Sequence, residues 1–206
     1  MKTQKAQKMK VLIGCEYSDV VASAFRAKGH EVISCDLEPS ETNSPHHYQG
    51  PIEDLLRAET FDLIVIHPPC TALTVAGNAT YGEGQPKYNE RLESVKWTMD
   101  LWETCKRRAK SVCLENPVGV LQRLGGIKRP SYVHPWQFGH MEQKKTGLYL
   151  HNLEPLKPTE IVYEEMMKLP VNQRQRLHYL PPSPLRWKER SRTFAGIAQA
   201  MANQWG

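Results

Sequence analysis

Four aliphatic residues in succession, Leu63–Ile66, run straight into His67-Pro68-Pro69-Cys70, and few folds accommodate such a stretch. A strand that is apolar at every position has no face for water, so it belongs inside a parallel sheet covered by helices on both sides. Proline cannot donate to the strand ladder, and two in a row end the strand at a stiff corner. Ligands of open α/β sheets bind just beyond the carboxyl ends of the strands. Phe61–Cys70 therefore predicts a central strand that delivers a thiol, Cys70, to a ligand cleft.

The flanking sequence supplies the rest of such a sheet. Lys10–Glu16 predicts a first buried strand that enters a turn at Gly14, Cys15, Glu16 and Tyr17. Ser18–Lys28 predicts a helix with Val20, Val21, Ala24 and Phe25 on its apolar face, Ser18 as N-cap and Gly29 as the stop. Glu31–Asp36 is a second strand ending in an acid, 22 positions after Gly14. Dinucleotide folds place a ribose-binding carboxylate about 20 residues on. Yet there is no Gly-x-Gly-x-x-Gly and no Walker lysine, so nothing cradles a pyrophosphate. A nucleoside ligand without a phosphate chain fits better, and S-adenosyl-L-methionine is the commonest such cofactor. A generic α/β unit with a surface aspartate would look the same.

Beyond Cys70, Thr71–Asn89 is rich in glycine and lacks periodicity, which reads as an active-site lid. Glu90–Ala109 is the clearest helix, with Leu92, Val95, Met99, Trp102 and Cys105 at spacings of three and four. Ser111–Leu114 is another buried strand and ends in Glu115-Asn116-Pro117; Val118–Leu124 is a short helix stopped by Gly125-Gly126. Tyr132–Phe138 and Thr146–His151 are short β candidates, and Glu160–Lys168 is a helix candidate. The expected organisation is a basic tail over residues 1–9, a catalytic and cofactor-binding domain over 10–150, a proline-rich basic segment over 151–192, and a helix over 193–206 that packs back. The fold class is α/β, a doubly wound and mostly parallel sheet.

The totals narrow the function. No apolar run reaches the roughly 20 residues of a membrane span, and the basic start lacks the apolar core of a signal peptide, which points to the cytoplasm, the host's if the gene is phage-borne. The five cysteines include no Cys-x-x-Cys pair, against both a disulfide framework and a thiolate zinc site, and no histidine spacing suits a metal. Net charge is +5, concentrated in Arg174, Arg176, Arg186, Lys188, Arg190 and Arg192, a pattern suited to a phosphate backbone or to a solvated loop.

Two strand ends, His67-Pro68-Pro69-Cys70 and Glu115-Asn116-Pro117, bring a nucleophile and a proton-handling carboxyl into one cleft if the strands are neighbours. That pairing suits attack on an electron-poor ring whose nitrogen is protonated at the same moment. A buried structural thiol and a helix-capping glutamate are the plainer alternatives.

In this order the Gly14 region, Asp36, Pro69-Cys70 and Glu115-Asn116 resemble the catalytic half of the DNA cytosine-C5 methyltransferases. The resemblance implies the class I S-adenosylmethionine-dependent methyltransferase fold. It implies Cys70 as the nucleophile toward cytosine C6, with Pro69 shaping its corner, Glu115 as the acid partner and Asn116 as a brace for the Pro-Cys loop. It also implies a cofactor set of Gly14, Cys15, Glu16, Tyr17, Asp36, Leu37, Ile52 and Pro68, with Gly196, Ile197 and Ala198 as a closing motif beside the cofactor. Lys144 and Lys145 stand where the family carries an arginine motif, and would join the basic segment in holding DNA. Departures are Lys144 and Thr146 for arginines, Pro51 for an aspartate and Pro117 for a valine. Residues 151–192 are too few for the family's separate recognition domain. The chain resembles a short, phage-type member that acts on cytosine-containing DNA with little sequence specificity, or with specificity supplied by a partner protein.

Other readings stay open on the sequence: a free pyrimidine nucleotide as substrate, transfer of a modified one-carbon group, or a DNA-binding protein that keeps the fold without turnover. An amino-group methyltransferase fits less well, because His67 and Cys70 break its Asp/Asn/Ser-Pro-Pro-aromatic motif.

Overall fold

The apolar runs named above pair with one another into one sheet in the computed structural model, which describes residues 7–206. Residues 1–6 of the expected basic tail lie outside the described residues. The strands are β1 (Lys10–Gly14), β2 (Glu31–Asp36), β3 (His47–Gln49), β4 (Phe61–Ile66), β5 (Ala109–Pro117), β6 (Ser131–Val133) and β7 (Thr146–His151). Among them lie α1 (Val20–Ala27), α2 (Ile52–Ala58), α3 (Asn78–Tyr81), α4 (Tyr88–Arg108) and α5 (Leu121–Gly125). After β7 come α6 (Tyr163–Met167), α7 (Val171–Arg174), α8 (Arg176–Tyr179), α9 (Arg186–Ser191) and α10 (Ala195–Trp205).

The seven strands are ordered β3-β2-β1-β4-β5-β7-β6. From β3 through β5 neighbours are parallel, and β7 runs antiparallel between β5 and β6. This is the mostly parallel, doubly wound sheet that the apolar runs predict. Side-chain alternation explains both buried faces. Val11, Ile13, Leu63 and Val65 pack on one side with Phe25 of α1 and Met201 of α10. Leu12, Ile64, Ile66 and Leu114 pack on the other with Leu56 of α2, Trp102 of α4 and Leu121 of α5.

Strand order reverses between β1 and β4, because the chain leaves β1 toward β2 and β3 and then returns on its other side. Such a switch point opens a crevice at the carboxyl ends of the strands. The glycine ending β1 lets α2 pack close: a Cβ on Gly14 would stand 2.2 Å from the tip of the Ile52 side chain, which would have to turn away.

Several local expectations are corrected. Ser18 does not cap α1; the helix starts after Asp19, whose φ of 63° leaves its side chain out of capping position. Glu16 replaces it, its carboxylate accepting hydrogen bonds from Val21 N–H (2.7 Å), Ala22 N–H (3.1 Å) and the Ser18 hydroxyl (3.2 Å). A buried carboxylate on an otherwise uncapped helix end carries more than an ordinary cap. Glu16→Ala is expected to cost about 1–2 kcal/mol and lower the thermal midpoint by roughly 2–8 °C, measurable by circular dichroism.

In α4 the buried face is Arg91, Val95, Thr98, Leu101, Trp102 and Cys105, whereas Leu92 is exposed. The loop after Cys70 carries a 3-10 turn at Val75–Gly77 and then α3, and it is anchored rather than free. Arg91 lies beneath it, donating from Nε to Ala72 C=O (2.7 Å), from one terminal nitrogen to Asn78 Oδ1 (2.8 Å) and from the other to Thr74 C=O (3.0 Å). The lid expected over Thr71–Asn89 is thus fastened to the longest helix. β3 is too short for periodicity to detect, and α2 is a helix not anticipated above, although Ile52, Leu55 and Leu56 recur at helical spacing behind Pro51. Of Tyr132–Phe138 only the start is strand, followed by a 3-10 turn at Pro135–Gln137.

Candidate active site

Parallel pairing puts Gly14 beside Cys35 and Ile66, and Ile66 beside Leu114. The next residue on each strand, Cys15, Asp36, His67 and Glu115, therefore stands in one row along the top of the sheet. Over this row opens a cavity of about 1070 Å³, whose wall includes Cys15, Asp36, His67 and Cys70. The structure thereby brings together the thiol, the β2 acid and the strand end carrying Glu115, from three separate parts of the chain.

Cys70 sits half-buried at the corner that Pro68 and Pro69 impose, with Pro68 buried beneath it and Pro69 in the cavity wall. Burial pushes the Cys70 thiol up, and the Glu115 charge pushes it further, while Lys144 and Arg190 pull it back. The corner is stitched to the loop after β5 through backbone: Val75 N–H donates to Val118 C=O (3.1 Å) and Val120 N–H to Leu73 C=O (2.9 Å). Asn116 is buried near this seam, yet neither end of its side-chain amide has a hydrogen-bond partner, so the backbone bonds do the bracing.

Glu115 reaches across to the neighbouring strand, where its Oε2 lies 3.2 Å from His67 Nδ1. Burial opposes the charged form of each partner, but their mutual hydrogen bond and charges prevail. His67 is raised above its ordinary range and Glu115 is held below its own. Sequence reasoning did not find this pair, because the contact follows from the parallel register of β4 and β5 rather than from any motif.

At the β2 end of the cavity, Asp36 closes the strand with its Oδ1 accepting from Glu38 N–H at 2.9 Å; burial raises its pKa and that bond lowers it. Leu37, Gly50, Pro51 and Ile52 continue this wall. Burial pushes the thiol of Cys15 far up, and that of Cys35 to about 12, so both are neutral parts of the lining. Tyr17 faces Trp187 of α9 with ring centroids 5.6 Å apart and donates its hydroxyl to Lys188 C=O at 3.0 Å.

Six predicted cofactor positions, Gly14, Glu16, Pro68, Gly196, Ile197 and Ala198, lie outside the cavity wall. Ile197 and Ala198 belong to the α1–α10 core, and Gly196 N–H donates to His140 Nε2 at 2.9 Å. Gly14 and Glu16 likewise act through packing and helix capping.

The basic segment folds over the cleft. Lys144 Nζ donates to Arg190 C=O (2.9 Å), Lys188 lies 3.7 Å from Glu38, and Arg192 pairs with Glu41. Arg176 pairs with Glu189 (3.1 Å) and Glu142 (3.7 Å), while Arg174 and Arg186 donate to Met167 and His178 carbonyls. Lys145 lies over the Tyr132 ring, 4.1 Å from its centroid. Lys144, Lys145 and Arg190 also line the cavity. The cations are thus distributed between the cleft wall and the ties that hold its cover. Among the described residues, no group of three or more His, Cys, Asp or Glu side chains is placed to hold a metal, and no helix is long and apolar enough to cross a membrane.

No protein-family model matches the chain, and no curated protein matches its sequence. Among solved structures, the chain is similar to WbdD, co-crystallised with the kinase inhibitor LY294002, at 13% identity and a TM-score of 0.41. That match covers 69% of this chain and 36% of the other. It is similar to the Entamoeba histolytica methyltransferase EhMeth at 12% identity and a TM-score of 0.48, over 87% of this chain and 64% of that one. It is similar to the human methyltransferase 10 domain containing protein at 13% identity and 0.41, over 72% and 73%. The chain thus spans about a third of the first of these proteins and just under two thirds of the second. Identities this low and superpositions this partial transfer no activity.

Proposed function

We propose that this protein is an S-adenosylmethionine-dependent methyltransferase that modifies C5 of cytosine in DNA through a covalent adduct on Cys70. The observation that carries the reading is the convergence, at one switch-point cavity, of a cornered thiol on β4, a buried proton-bearing pair bridging β4 and β5, and an acid at the end of β2. Attack at an unactivated pyrimidine needs all three, a nucleophile, a proton at ring nitrogen and a methyl donor held alongside.

The cofactor side fits a nucleoside ligand. Asp36 would hold ribose hydroxyls, and Leu37, Pro51 and Ile52 would flank the base, with Tyr17 and Trp187 covering that half of the cleft. When bound, S-adenosylmethionine supplies an electrophilic methyl group. The chain's own residues do the remainder. Cys70 forms the bond to C6, which makes C5 nucleophilic, and the Glu115–His67 pair supports the proton at N3. Lys144 and Arg190 lower the cost of the thiolate. To reach this depth the cytosine must leave its stack. Lys145, Arg174 and Arg186 with the other cations of the cover would hold the flanking phosphates, while sequence choice is low or comes from a partner protein.

Incubation with cytosine-containing DNA and labelled S-adenosylmethionine, then digestion and mass analysis, is expected to place the label in 5-methylcytosine. In calorimetry Asp36→Ala is expected to weaken cofactor binding by roughly 10–100-fold, the value of a charge-assisted hydrogen-bond pair to a ligand. A chain that binds the cofactor and leaves every cytosine unlabelled sinks the reading.

A further inference from the structure

His67 stands in the cavity wall with one ring nitrogen satisfied and the other not. Nδ1 lies 3.2 Å from Glu115 Oε2, whereas Nε2 is buried without a partner in the chain. His67 lines the cavity; Glu115 is not among its wall residues and stands behind the imidazole. The side chains are 8% and 14% exposed and Nε2 is closed to water in the unliganded cleft, so a bound base reaches it only as the wall shifts on binding.

We propose that His67, backed by Glu115, is the residue that hands the proton to the pyrimidine ring, with Glu115 accepting from Nδ1–H and Nε2–H directed at the ring nitrogen of the bound base. The proposal rests on the cytosine reading above and specifies its acid. An imidazole whose one nitrogen is tied to a carboxylate has a fixed orientation and carries its mobile proton on the other. An unpaired buried donor is costly, and cytosine N3, a lone pair in the ring plane, is the acceptor that relieves it.

The surroundings favour the charged ring. Glu115 on β5 and Glu16 after β1 favour the imidazolium, while burial and Lys144 ahead of β7 oppose it. Cys70 lies three residues on, and its thiol is itself raised by burial and by Glu115. The net result is a histidine that keeps its proton to higher pH than an ordinary imidazole.

The Cys70 thiol proton passes to solvent and the S–C6 bond forms; the C5–C6 π pair shifts into a C4–C5 double bond, and the C4–N3 π pair moves onto N3, which takes the Nε2 proton. A neutral imidazole remains on the Glu115 carboxylate. Once C5 carries the methyl group, the C5 hydrogen leaves as a proton to solvent, the S–C6 bond breaks with its pair on sulfur as the C5–C6 double bond re-forms, and the N3 proton returns to Nε2.

The test compares wild type with His67→Gln and His67→Ala for trapping of 5-fluorocytosine DNA in the presence of S-adenosylmethionine. Nitrogen NMR follows the His67 ring in wild type and in Glu115→Gln. Expected results are a trapping rate about 10²–10⁴-fold lower in both His67 variants, recovery of the His67→Ala rate on adding imidazole, and a wild-type His67 midpoint above about 6.5 that falls in Glu115→Gln. Trapping by His67→Gln as fast as wild type, no recovery with imidazole, or a wild-type midpoint below that value would overturn the assignment. The wild-type titration is read on the unmodified protein, so it decides even if a variant misfolds. If wild type itself traps no base while binding the cofactor, the cytosine reading fails instead, and the NMR result shows whether the charged dyad stands apart from it.

Discussion

Cys70→Ala is expected to abolish the covalent product with 5-fluorocytosine DNA while leaving S-adenosylmethionine binding close to wild type. Two features of the structure separate these outcomes. The thiol stands at the β4 corner, whereas the cofactor half of the cavity is built by Asp36, Leu37 and Ile52 from β2 and the start of α2. The side chain is half-buried and accepts no structural hydrogen bond, so its loss leaves the fold intact, within about 0.5 kcal/mol. Denaturing gel electrophoresis of the DNA adduct and calorimetry of the same two proteins report the separation. An adduct that survives in Cys70→Ala would move the nucleophile elsewhere.

Arg91→Met is expected to be among the most destabilising single changes in the chain that touch no ligand. Arg91 is only 1% exposed, and its guanidinium is the shared donor for two loop carbonyls and the Asn78 amide oxygen. Methionine fills much of the volume but leaves those acceptors buried and unpaired. The cost is about 3 kcal/mol, a fall of roughly 6–12 °C in thermal midpoint. Because the released segment begins next to Cys70, trapping should fall as well, and limited proteolysis should open a new cut between Thr71 and Lys87. A midpoint unchanged from wild type would mean that the loop holds itself.

How much of this could be read beforehand differs from residue to residue. The β4 corner was legible because four aliphatics and two prolines admit few conformations, and the β1-α1-β2 unit because its periodicity and its terminal acid agree. β3 was not, since His47–Gln49 is three polar residues that become a strand only by pairing with β2. Arg91 was not, since an arginine near a helix start reads as solvated until a loop is folded onto it. The His67–Glu115 contact lay 48 positions apart in sequence and depends on β4 and β5 being parallel neighbours in a particular register. Cap assignment failed similarly: Ser18 has the preferred side chain, but the left-handed turn at Asp19 gives the helix end to Glu16. Local signals therefore located the strand ends, while the links among them are properties of the assembled sheet.

The guanidinium of Arg91 also determines which side of the cleft can move. By tying the residues after Cys70 to the first turn of a 21-residue helix packed on the sheet, it makes the Cys70 corner, loop and helix one mechanical body. The opposite rim, α9 and Arg192 after it, is held by the Tyr17–Trp187 contact, the Tyr17 hydroxyl, hydrogen bonds from Lys144 and to the His178 carbonyl, and ion pairs to Glu38, Glu41 and Arg176. Such surface ion pairs contribute little individually and weaken with salt. Opening of this cleft is thus expected at the basic rim, with the Cys70 side as the fixed wall.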